Sequence, residues 1–139
     1  MIAADSSVLI AGLLSWHEFH QRAFNALEKA IARRRLLLPL PALVESYSVM
    51  TRLPSPHRLR PAIAYQLLRD SFGDARVVAL APRKAWMFLG ECASAGTAGG
   101  RVYDAVSAST AVAAHARELL TFNPRDFELF GDRIAIIVP

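Results

Sequence analysis

The sequence predicts an α/β fold, a small three-layer α/β/α sandwich around a central, mainly parallel five-stranded sheet, in a single domain over residues 1–139. Short apolar runs alternate with longer stretches of helical periodicity, and prolines and glycines punctuate the junctions. At 139 residues and 53% hydrophobic composition, the chain is long and apolar enough for one core. Strands separated by helices pair in parallel, because parallel neighbours need crossover connections, and those place helices on both faces.

Residues 2–4 (IAA) read as a short buried strand, and Asp5-Ser6-Ser7 can cap a helix over 8–14. Over 18–32, Phe19, Ala23, Phe24, Leu27, Ala30 and Ile31 recur at helical spacing. Leu36-Leu37-Leu38 is a second strand, and Pro39 and Pro41 mark its end and open a helix to about Arg52. After Pro54, Pro56 and Pro61 a helix resumes over 62–72 and stops at Gly73-Asp74, followed by a strand over 76–80. Pro82 opens another helix, with Ala85, Phe88, Leu89 and Cys92 along one side, and Gly96, Gly99 and Gly100 loosen the chain behind it. An Ala-rich helix over 102–117 and strands over 119–121 and 134–138 complete the pattern.

Composition excludes several classes. The longest apolar run, LLLPLPALV, holds prolines and is far short of the roughly 20 residues that span a bilayer. No basic, apolar and small-residue succession of a signal peptide opens the chain, and Cys92 is the only cysteine, which rules out an internal disulfide and suits the cytoplasm. Of the 16 basic residues all but Lys29 and Lys84 are arginine, and the net charge is +4, a balance compatible with phosphate-rich partners. Arg33-Arg34-Arg35 reads as a solvated helix end.

In sheets of this kind ligands sit beyond the carboxyl ends of the strands, where strand order reverses. Asp5 lies just past the first strand, Glu45 in the first turns after the second, Asp104 in the first turn of the helix before the fourth, and Asn123 just past the fourth. Carboxylates brought together resist ionisation unless a cation neutralises them, so convergence of these acids predicts a hard divalent ion, Mg²⁺ or Mn²⁺. Taken singly, each has another explanation. Asp5 is a good N-cap, although Ser6 or Ser7 can take the cap and leave its carboxylate to a cation; Asp104 lies where any acid meets a helix dipole. Periodicity sets the apolar face of the third helix at Leu40, Leu43, Val44, Tyr47 and Met50, which turns Glu45 to solvent beside Arg52.

Other polar residues give weaker signals. His17 and His20 can share a face but lack a third zinc ligand, and His57 and His115 stand beside no nucleophile. Trp16 and Trp86 are expected in the core, as is Cys92. Ser6 and Ser7 have no G-x-S-x-G elbow, and the glycines near residue 96 match neither dinucleotide-binding nor P-loop spacing.

Read in order, IAADSSVLIAGL, LPLPALVESYSVMTRLP, GGRVYDAVSASTAVAAHARELLTFNPRDF and IAIIVP resemble the successive blocks of a PIN-domain protein of the VapC toxin type, over essentially the whole chain. The resemblance implies a PIN-like fold in which Asp5, Glu45 and Asp104 hold Mg²⁺ or Mn²⁺ and Ser6 supports the site. A fourth position, often Asp, falls here on Asn123, with Asp126 three residues on; an amide is a neutral ligand at best, and Asp126 can substitute for it or cap the turn before Phe127. The implied activity is metal-dependent endoribonuclease, the toxin of a toxin–antitoxin pair. An RNA substrate, a VapB-like antitoxin and a homodimer are the implied partners, with no membrane involved.

Two other readings fit parts of the pattern. A phosphoacceptor receiver domain shares the sheet but pairs two neighbouring acids after the first strand and needs a lysine after the last, whereas this chain has no lysine beyond Lys84. A non-catalytic RNA- or partner-binding module of the same fold draws its support from Asn123.

Overall fold

A computed structural model describes all of residues 1–139. Five strands, β1 (Ile2–Ala4), β2 (Leu36–Pro39), β3 (Arg76–Val78), β4 (Glu118–Leu120) and β5 (Ala135–Ile137), form one sheet in the order β3-β2-β1-β4-β5. Every pairing is parallel. β1 and β2 are central and read as unbroken apolar runs because helices cover both their faces. Side chains on a strand point alternately up and down, and that alternation divides the core in two. Ala4, Leu36, Leu38 and Leu120 join one cluster, and Ala3, Leu37 and Leu119 the other.

Helices α1 (Ser6–Leu13) and α2 (His20–Ala32) connect β1 to β2, and α3 (Leu40–Thr51) and α4 (Pro61–Phe72) connect β2 to β3. Val8, Leu9, Leu27, Met50, Leu68 and Phe72 bring all four helices onto the first cluster. At Gly12 a Cβ would stand 2.5 Å from Leu27 Cδ1 and 3.7 Å from the Ala23 backbone, so a larger residue there would oblige the Leu27 side chain to shift. Helices α5 (Ala85–Ala95) and α6 (Arg101–Ala113) connect β3 to β4, and a 3₁₀ segment, Pro124–Phe130, leads to β5. Phe88, Cys92, Ala105, Ala108, Ala111, Phe127 and Phe130 fill the second cluster.

Several boundaries differ from the sequence expectation. α6 stops at Ala113 instead of running to 117, because His115 adopts a left-handed φ of 60°. β3 ends at Val78, and Pro82–Lys84 form a 3₁₀ turn ahead of α5. The buried face of α3 is Ala42, Ser46 and Met50, while Val44 is 57% exposed and Leu40 and Tyr47 also face outward. Small residues win that face because they let α3 pack closely, and the Ser46 hydroxyl satisfies itself on the Ala42 carbonyl at 2.7 Å. The tryptophans are not core: Trp86 is 84% exposed opposite the Phe88–Cys92 side of α5, and Trp16 is 49% exposed between α1 and α2. Cys92 is buried as expected. No helix is long and apolar enough to cross a membrane.

Candidate metal centre

The order β3-β2-β1-β4-β5 reverses between β1 and β4, since the chain moves outward from β1 through β2 to β3 and then returns to the other side. Asp5 sits at that reversal. Its N–H donates to Leu120 O at 2.9 Å, which carries the β1–β4 ladder one step past the sheet, and its side chain is buried. The backbone there is extended (φ −77°, ψ 160°), and the carboxylate caps α1 by accepting from Ser7 N at 3.4 Å. Asp5 is therefore its own cap, rather than ceding the role to Ser6 or Ser7.

The cap is made with one oxygen. Asp5 Oδ2 accepts from Ser7 Oγ at 2.8 Å and from Thr121 Oγ1 at 3.1 Å, whereas Oδ1 has only a long contact from Ser6 Oγ, 3.4 Å. Oδ2 is fixed by hydroxyls and Oδ1 keeps room for a further ligand. Ser6 Oγ makes its shorter bond, 2.8 Å, to Glu45 Oε2. That bond explains why Glu45 is half-buried rather than in solvent: it follows Ala42 and precedes Ser46 on the packed side of α3 and turns toward the start of α1.

Asp104 lies in the first turn of α6. One carboxylate oxygen from each of Asp5, Glu45 and Asp104 lies within 4.8 Å of the other two. Burial, then the charges of Asp5, Asp126 and Glu45, push the Asp104 carboxyl up from its ordinary 3.8 to about 7, with Arg101 opposing. The charge of a divalent ion at the shared point would relieve that repulsion, and three hard oxygens are the donors Mg²⁺ or Mn²⁺ prefers, so the residues present fit such an ion.

The two candidates for the fourth position part company. Asn123 is exposed, with its backbone N–H donating to Thr121 Oγ1 at 3.0 Å. Asp126, half-buried in the first turn of the 3₁₀ segment, raises Asp104 more than Glu45 does and sits 3.7 Å from Arg101. Thr121 escaped the sequence reading. Its signal is topological, since Ala4 pairs with Leu120 and the residues after each pair stand side by side. His17 and His20 are spent on local bonds, to Phe19 N at 3.1 Å and Ala11 O at 2.9 Å.

A five-stranded parallel sheet with an acid cluster at its switch point defines a PIN-like α/β domain with a candidate divalent-metal centre. No family model matches the chain. Ribonuclease VapC40 of Mycobacterium tuberculosis is 39% identical over 130 residues, 94% of this chain and 92% of that protein. Ribonuclease VapC27 of the same organism is 38% identical over 138 residues, 97% of this chain and 96% of that one. Two solved structures share the fold. VapC20 of M. tuberculosis, described as a sarcin-ricin loop cleaving toxin, superposes with a TM-score of 0.72 over 100% of both chains at 16% identity. DNA-bound VapBC from Salmonella typhimurium gives 0.69 over 99% of this chain and 96% of that one at 20% identity. Identity to VapC40 and VapC27 across nearly the full length of each partner shows the family: the chain belongs to the PIN-domain VapC ribonuclease toxins.

Proposed function

We propose that residues 1–139 act as a single-domain, Mg²⁺- or Mn²⁺-dependent endoribonuclease, the toxin of a VapBC-type pair working in the cytoplasm. The observation that carries this reading is the convergence of Asp5, Glu45 and Asp104 within 4.8 Å at the carboxyl edge of the sheet. The family names of the relatives support the choice of RNA.

Asp5, through Oδ1, and Asp104 would hold the ion, with Glu45 beside them. A divalent ion bound there would supply a coordinated water of lowered pKa and positive charge against the scissile phosphate. Glu45, aimed by the Ser6 hydroxyl, takes the proton of the attacking water. Ser7 and Thr121 hold Asp5 against rotation, so the ligand geometry is set before substrate arrives. Asp126 completes the acidic edge in place of Asn123. Arg101, whose side chain is 67% exposed, stands at that edge where a phosphate would pass.

A VapB-like antitoxin is the proposed regulatory partner, and a homodimer the proposed assembly. Trp86, Met87 and Leu89 make α5 an exposed apolar face suited to a second copy. The test is cleavage of RNA by purified protein with Mg²⁺ or Mn²⁺ beside Asp5→Asn and Asp104→Asn. Equal cutting by parent and variants would remove the carboxylates from the mechanism. Expression without the antitoxin should arrest growth, and co-expression of the antitoxin should restore it.

A further inference from the structure

The acidic centre continues into a line of rings. Phe122 follows Thr121 directly, and its N–H donates to Ser7 Oγ at 3.0 Å, the same hydroxyl that holds Asp5. The Phe122 ring stacks on Phe19 with centroids 4.6 Å apart and planes at 25°, and the Arg22 guanidinium lies 5.4 Å from one ring centroid and 5.6 Å from the other. Phe19 leads to His17 at 5.8 Å, His17 to Trp16 at 6.0 Å, and Trp16 stacks on His57 at 4.0 Å and 26°. The line runs from the reaction centre to the turn between α1 and α2, where it meets the loop between α3 and α4.

Its outer end has the chemistry of single-stranded nucleic-acid contact. Trp16 stays 49% exposed although His57 covers one face of the indole, so its accessible area is the other face and the edges. The loop carrying His57 holds Arg52, Arg58 and Arg60, all exposed; Glu18 is the one acid in either loop. None of these arginines pairs with a carboxylate, for the single ion pair of the protein joins Arg101 to Asp126. Arg58 Nε donates to Leu53 O at 2.9 Å, which stiffens the loop without neutralising its charge. Exposed arginines without carboxylate partners, on the loop whose His57 stacks on an open aromatic face, suit phosphates and a base π-face together, whereas an apolar partner would leave those charges unanswered.

We propose that Trp16, backed by His57 on a loop that also carries the exposed Arg52, Arg58 and Arg60, is a substrate subsite that stacks an unpaired nucleobase of RNA at a distance from the scissile phosphate. The proposal rests on the ribonuclease reading and adds a specificity-determining contact to it. A substrate too short to reach the turn gains nothing from the subsite, and a longer unpaired strand gains affinity.

Two measurements test it. Trp86→Phe leaves Trp16 as the sole tryptophan, and titrating that protein in EDTA with a single-stranded oligoribonucleotide should quench its fluorescence saturably. Inorganic polyphosphate, which offers charge without bases, should compete at low salt and leave the emission unquenched. In steady-state cleavage, Trp16→Ala should raise KM for the long strand about fivefold to tenfold, with kcat within about twofold, and Trp16→Phe should recover most of it. A trinucleotide substrate should not distinguish the three proteins. Unchanged KM in Trp16→Ala, or an oligoribonucleotide that is cut but leaves Trp16 emission unaltered, overturns the subsite. So does a Trp16→Ala protein whose only loss is affinity for the antitoxin, which makes the surface a protein-docking face. Failure of the ribonuclease reading looks different, because then the parent itself cuts nothing with either metal.

Discussion

Thr121 and Asp5, 116 positions apart, are joined side chain to side chain: Thr121 Oγ1 donates to Asp5 Oδ2 at 3.1 Å, both residues buried where β1 and β4 end. The bond exists because these strands are neighbours in the sheet, and it fixes which oxygen of Asp5 is left for a ligand. Thr121→Val keeps the shape and removes the donor, and it also strips Asn123 N–H of its acceptor. It should cost about 1–3 kcal/mol of stability by denaturant unfolding and weaken Mn²⁺ binding by calorimetry. Unchanged metal affinity would mean that Thr121 does not orient Asp5.

Asp104→Asn should separate stability from function. The neutral amide removes the cost of burying a charged carboxylate and the repulsion from Asp5, Asp126 and Glu45, so the metal-free protein should melt a few degrees higher at pH 8. Cleavage should fall at least about 100-fold, beyond what losing an outer-shell partner costs. A variant that melts lower than its parent without metal would contradict the repulsion assigned here.

Burial of the Asp104 carboxyl, together with that repulsion, sets a pH dependence. With its carboxyl raised from 3.8 to about 7, folded Asp104 keeps a proton that the unfolded chain has already lost between those values. By linkage this contribution is present below about pH 4 and is lost as pH rises through about 7. The metal-free melting temperature should therefore fall from pH 5 to pH 8 relative to Asp104→Asn, and saturating Mn²⁺ should remove the difference. Protons and Mn²⁺ compete for one carboxylate, so Mn²⁺ affinity should rise over the same interval.

Asn123 and Asp126 are distinguishable by substitution. Asn123→Ala should leave cleavage within about twofold of the parent, because its side chain is exposed and only its backbone is bonded toward the site. Asp126→Asn should reduce cleavage about tenfold or more and lower the Asp104 carboxyl toward its ordinary value, read by carbon NMR. The opposite ranking would return the fourth position to Asn123.

Much of the fold was legible because apolar runs are set off by proline or glycine breaks at Pro39, Pro54 to Pro61, Gly73, Pro82, Gly96 to Gly100 and Pro124, and the central strands tolerate nothing polar inside them. Facing was harder to read. On α3 the hydrophobic pattern selected Val44 and Tyr47, but Ala42 and Ser46 make the close contact, and that shift draws Glu45 toward Ser6. Singly, Asp5 and Asp104 read as a cap and a helix-dipole acid; it was their joint placement, one after a strand and one at a helix start, that made their convergence legible. Thr121 was not legible, since the identity of β1's neighbour is a property of topology. Trp16 and Trp86 were misplaced for a related reason: bulk argues for burial, yet the covered side of α5 was already filled by Phe88 and Cys92.

If Asp5, Glu45 and Asp104 together hold a divalent cation, the ion must be found among their carboxylates. Anomalous diffraction from a crystal of the protein soaked in Mn²⁺ at pH 8 tests it most directly. One strong manganese peak is expected among the three carboxylates, within about 2.0–2.3 Å of Asp5 Oδ1 and an Asp104 oxygen. A map with no manganese between these residues, from crystals whose protein still cuts RNA, would contradict it.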